Sequence, residues 1–88
     1  MLRLNRLVLD VLKPHQPNVL EFARAIAAGG EGYNVKLTVL EVDEKTESVE
    51  VVIEGPDLEL DVIVATIGKL GASLHSIDGV EVRNEHED

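Results

Sequence analysis

Hydrophobic and polar positions change period repeatedly along this chain, and each change marks an element boundary. From Leu4 to Lys13 the residues Leu7, Leu9 and Val11 alternate with Val8, Asp10 and Leu12, a period of two that predicts a central strand buried on one face. Pro14 and Pro17 stop it, because proline lacks a backbone donor and biases the preceding residue away from helix. From Asn18 the period lengthens. Val19, Phe22, Ala23, Ile26 and Ala27 recur at i, i+3, i+4, i+7 and i+8 and define one face of a helix. Gly29-Gly30 and Gly32 are expected to end it by supplying positive φ.

Alternation returns from Tyr33 to Asp43, with Val35, Leu37 and Val39 against Lys36 and Thr38, and again from Ser48 to Glu54, with Val49, Val51 and Ile53 against Glu50 and Glu54. The polar segment Asp43 to Glu47 between these runs predicts a hairpin. Gly55-Pro56-Asp57 is a break, with Asp57 as the expected N-cap of a second helix. Leu60, Ile63, Val64, Ile67 and Leu70 mark the apolar face of that helix, which Gly71 closes. Its valines and isoleucines lower the intrinsic helix propensity, so tertiary packing must decide. Ala72 to Arg83 is the last strand, and residues 84–88 form an acidic tail expected to fray.

The order strand, helix, strand, strand, helix, strand predicts a single α+β domain over residues 1–88, of ferredoxin-like βαββαβ topology. Right-handed crossovers leave an antiparallel sheet of order 4-1-3-2 with both helices on one face. The other face would then be bare. Val8, Leu12, Leu40, Val42 and Val52 are expected to point there, and an apolar face of that kind is usually covered by another chain. A homo-oligomer is the expected state.

Composition sharpens this picture. At 88 residues one core of modest size is possible, so self-association would add useful stability. Aromatics are 2% of the chain, Phe22 and Tyr33, so the core is aliphatic. A net charge of −9, with no basic stripe and no aromatic platform, argues against nucleic acid and against anionic membranes. No apolar run approaches the roughly 20 residues of a spanning helix, and the N-terminal stretch is too interrupted for a signal peptide. A cytoplasmic protein is expected. The absence of cysteine removes disulfides, thiolate metal sites and cysteine nucleophiles together.

The predicted topology collects polar residues at one edge of the sheet: Lys13-Pro14-His15, the Asp43–Glu47 hairpin and His75-Ser76-Ile77-Asp78. Carboxylates with hydroxyls suit calcium or magnesium, and adding imidazole widens the choice to zinc, with calcium or magnesium preferred. Asp10, Asp43 and Asp78 are the candidate metal ligands, with His15, Glu47, His75 and Ser76 as further candidate site residues. Asp43, Glu44 and Glu47 also fit a plain solvated hairpin. Asp10 is more telling, since a carboxylate in an apolar strand costs free energy unless it is paired, ligated or solvent-facing. A subunit contact would satisfy it as well as a ligand.

A Ser-His-Asp reading of Ser76, His75 and Asp78 fails on strand alternation, which sends adjacent side chains to opposite faces, and no nucleophile elbow is present. Gly29-Gly30-Glu31-Gly32 precedes a strand and carries an acid, so it is a turn and not a phosphate loop. A non-enzymatic binding module is expected, with a purely structural interaction protein as the alternative.

The segments Arg6-Leu7-Val8-Leu9-Asp10-Val11-Leu12-Lys13-Pro14-His15, Glu41-Val42-Asp43 with Thr46-Glu47, Ile53-Glu54-Gly55 and His75-Ser76-Ile77-Asp78 resemble those of the archaeal domain of unknown function 211 family. The resemblance covers nearly the whole chain and departs from the family pattern at the Gly29–Tyr33 turn and the acidic tail. It implies a ferredoxin-like fold, a cytoplasmic archaeal protein, assembly into homo-oligomers and metal-ion binding.

Overall fold

The computed structural model describes residues 1–86 as six elements. They are β1 (Leu2–Pro14), α1 (Val19–Ala27), β2 (Asn34–Val42), β3 (Thr46–Glu54), α2 (Leu60–Lys69) and β4 (Ser73–Asn84). The sheet order is β2-β3-β1-β4 and every neighbouring pair is antiparallel. This is the expected ferredoxin-like arrangement. Leu7, Leu9 and Val11 of β1 and Val49, Val51 and Ile53 of β3 face Phe22 and Ile26 of α1 and Ile63 and Ile67 of α2, all essentially inaccessible. Among the described residues, no helix is long and apolar enough to cross a membrane.

Local chemistry sets most of the boundaries. Asn18 caps α1, its side-chain oxygen accepting from the Glu21 amide at 2.9 Å, one of the donors a helix start leaves unpaired. Of Gly29, Gly30 and Gly32, which follow α1, only Gly32 takes positive φ. Gly30 serves differently: a Cβ there would sit 2.3 Å from the Tyr33 ring, so its bareness lets the tyrosine pack down.

Tyr33 also takes over the role expected of Asp57. The N-cap position of α2 is Glu59, which makes no side-chain cap bond, and its amide instead donates to the Tyr33 hydroxyl at 2.9 Å. Asp57 stands two residues before the N-cap position and faces Arg3 instead. The chain at Leu58 is tied to β1 through Leu58 N–H to the Leu4 carbonyl at 2.7 Å, and Asp57 lies 3.5 Å from Arg3. Tyr33→Phe is therefore expected to cost about 0.5–1 kcal/mol, the net worth of one exposed hydrogen bond, in urea denaturation with an unchanged m-value.

The two helices are much shorter than the strands they cover. Ten-residue α2 is about 15 Å long, whereas twelve-residue β4 spans roughly 40 Å; the molecule measures 53 × 22 × 18 Å. This relocates the exposed apolar surface. On the bare face Val52 is only 9% exposed and Val8 is half-buried, while Leu12 remains open; Leu40, the extra residue in the β2–β3 pairing, is exposed. Val42 is not on that face: it pairs with Glu47, which pairs with buried Lys13 on the helix side. A longer exposed stripe runs along β4, where Ile77, Val80 and Val82 lie opposite Leu9, Leu7 and Leu4 and are 45%, 63% and 56% exposed.

The C-terminus is drawn in further than expected. β4 extends through Asn84, the Glu85 amide donates to the Met1 carbonyl at 2.8 Å, and the Glu85 carboxylate meets Arg3 at 2.9 Å. Residues 87 and 88 of the expected tail lie outside the described residues.

Candidate functional site

The candidate residues fall into two groups, separated by about three residues of strand. The first lies at the hairpin end of the sheet. Lys13 ends the inward-facing row of β1, and its side chain is completely buried. Its ammonium donates to Glu47 Oε1 at 2.7 Å and to the Pro14 carbonyl at 2.8 Å, and sits 5.7 Å from the centre of the Phe22 ring. A buried charge requires such pairing. Glu47 is thus the counter-ion of a lysine and has little left to offer a metal. His15 Nε2 lies 3.0 Å from the Glu44 carbonyl. Asp43 is exposed at the turn, where its amide donates to the Thr46 carbonyl.

The second group occupies the open face of the sheet. There Asp10 of β1 pairs with Glu50 of β3 on one side and Ser76 of β4 on the other, and Glu50 pairs with Thr38 of β2. One row of the sheet therefore reads Thr38, Glu50, Asp10, Ser76. Residues directly opposite in an antiparallel pair have their Cβ atoms about 4.5–5.5 Å apart, so two half-buried carboxylates are neighbours on the two central strands. Among the described residues, no hydrogen bond or ion pair reaches either carboxylate. Asp10 also lines a shallow depression of about 230 Å³ together with Leu12, Ser48 and His75.

Two β-bulges explain how β4 contributes. In the β1–β4 register, Val11 pairs with Leu74 and Asp10 with Ser76, so His75 is an extra residue; Leu9 pairs with Ile77 and Val8 with Gly79, so Asp78 is another. A bulge suspends strict alternation and re-aims side chains. That is how His75 reaches the open face beside Asp10 although it adjoins Ser76. The Ser76 hydroxyl donates to Asp78 Oδ1 at 2.7 Å, which satisfies that pair locally.

Asp43 is not brought to Asp10 and Asp78. Its position beyond Val42 lies past the Lys13–Glu47 level, three residues along β1 from Asp10 and two strands away. Among the described residues, no three histidine, aspartate or glutamate side chains are grouped closely enough to hold a metal ion. Ser48, Glu50 and Leu12 are site residues that sequence reasoning missed. Their signal was the register, since Ser48 and Glu50 oppose Leu12 and Asp10.

Comparison of the sequence with known proteins places the chain in a family. A family profile described as uncharacterised ArCR, domain of unknown function 211, matches residues 5–85, a span that includes both groups. An uncharacterised protein of Methanocaldococcus jannaschii, MJ0319, is 43% identical over 77 residues, which cover 88% of this chain and 79% of that protein. The chain therefore belongs to the domain of unknown function 211 family.

Proposed function

We propose that this protein is a non-enzymatic binding module, acting as a homo-oligomer in the cytoplasm, whose open sheet face takes a divalent cation or a small ligand at the Asp10 depression. The observation that carries this reading is the Asp10–Glu50 juxtaposition. Like charges directly opposite on neighbouring strands destabilise a sheet, and these two stand half-buried with no ion pair among the described residues. A bound cation removes that repulsion. The oxygens of Asp10, Glu50 and Ser48 suit calcium or magnesium, and the His75 imidazole extends the range to zinc. One chain offers few convergent ligands, so water or a second copy completes the coordination.

The alternative of a purely structural interaction protein draws on the exposed stripe of β4. Mass action separates the two. Under the binding reading, calcium, magnesium or zinc at about one hundred times its dissociation constant adds about 2.7 kcal/mol to stability, read as a rise in Tm. Asp10→Asn is expected to abolish that rise while making the cation-free protein slightly more stable, by about 0.2–1 kcal/mol, because the repulsion with Glu50 is relieved. The cation reading fails if none of the three cations shifts the wild type, or if the variant responds as the wild type does.

A further inference from the structure

The two edges of the sheet differ. The β2 edge carries Lys36 and is broken by a register shift at Leu40, both devices that discourage strand addition. The β4 edge has no lysine. Its stretch from Gly79 to Asn84 contains no extra residue in its pairing with β1, the bulges of β4 itself lying earlier, at His75 and Asp78. This stretch reads Val80-Glu81-Val82-Arg83, with both valines on the helix side and exposed.

Alternation places Glu81 and Arg83 on the opposite face from the valines. Arg83 lies across the ladder from Arg3, a like charge already engaged by Glu85. Among the described residues, no ion pair engages Arg83 or Glu81.

We infer that the partner of this edge is a second copy of the same strand, paired antiparallel about a two-fold axis at Val82. In that register Val82 meets Val82 of the second copy, and Glu81 and Arg83 of each copy lie opposite Arg83 and Glu81 of the other. The two ion pairs are reciprocal, as an isologous interface requires, and Val80 of each strand extends the apolar strip diagonally. Sliding the axis to Asp78 would instead set the two Asp78 carboxylates directly opposite each other, on a bulge. The inference rests on the homo-oligomeric part of the proposed function and adds the strand, the register and the residues that specify it.

Charge reversal tests it. These side chains are exposed, so the substitutions leave the core intact. Glu81→Arg and Arg83→Glu each place two like-charged pairs across the axis and are expected to weaken self-association roughly tenfold or more, measured as apparent mass against concentration by light scattering. The double variant Glu81→Arg with Arg83→Glu restores both pairs and is expected to return to within about threefold of the wild type. A wild type that is monomeric throughout overturns the homo-oligomer. An assembly indifferent to both single variants, or a double variant as weak as the singles, overturns this register alone.

Discussion

Replacing Glu47 with alanine is expected to destabilise the domain by about 3–5 kcal/mol, because it strands the Lys13 ammonium in the interior without its counter-ion. The Lys13 side chain is wholly buried, whereas that of Glu47 is 16% exposed. The two partners are therefore unequal. Lys13→Met removes the charge, keeps an apolar stem beneath Phe22 and leaves a glutamate that can turn toward water. It is expected to cost clearly less than Glu47→Ala. Urea denaturation of both variants checks this, and equal losses would contradict the buried-charge account. An 88-residue domain has about 4–13 kcal/mol of total stability to lose, so the glutamate variant should melt far below the wild type.

Phe22→Ala is the second large effect, expected at about 3–5 kcal/mol for a buried aromatic. Phe22 is fully buried on α1 and belongs to the central core cluster. It also closes the roof over the Lys13 ammonium at 5.7 Å. Its removal opens a cavity and admits water to the ion pair at once. Phe22→Leu separates the two contributions: it fills most of the space but offers no ring face to the cation. The expected order of stability is wild type, then Phe22→Leu, then Phe22→Ala, and a leucine variant as unstable as the alanine one would deny the packing contribution.

The fold was legible because its elements differ in period. Leu7, Leu9 and Val11 against Asp10 and Leu12, and Phe22 with Ile26 at helical spacing, mark the same inward faces that the structure buries. The register within the sheet was harder to read, and the site depends on it. The inward row of β4 is Leu74, Ile77, Val80 and Val82, spaced three, three and two. A regular strand would space them by two throughout, so the two threes were the trace of the bulges at His75 and Asp78. Strict alternation, applied across that irregularity, would send His75 to the face opposite Ser76, whereas it lines the depression beside Asp10.

Asp43 was grouped with Asp10 and Asp78 because all belong to segments near one end of the sheet. Nearness of segments is not nearness of side chains. The burial of Lys13 was invisible for a related reason: a lysine ending a strand is normally solvated, and only the pairing with Glu47 beneath Phe22 makes its burial tolerable. Asp57 was the natural cap by residue type, yet Leu58 is tied to β1 and a distant tyrosine hydroxyl supplies the acceptor. For Lys13 and for the start of α2, a tertiary contact overrode a local preference.

The central claim is that a homo-oligomer binds a cation or small ligand through the Asp10–Glu50 row. Native mass spectrometry of the wild type and of Asp10→Asn tests it most directly, before and after chelation and with calcium, magnesium and zinc returned one at a time. The account predicts masses at a multiple of the protomer, with added ligand or metal mass in the wild type that the variant lacks. A wild type that flies as a bare monomer, or a variant that retains the same added mass, would contradict it.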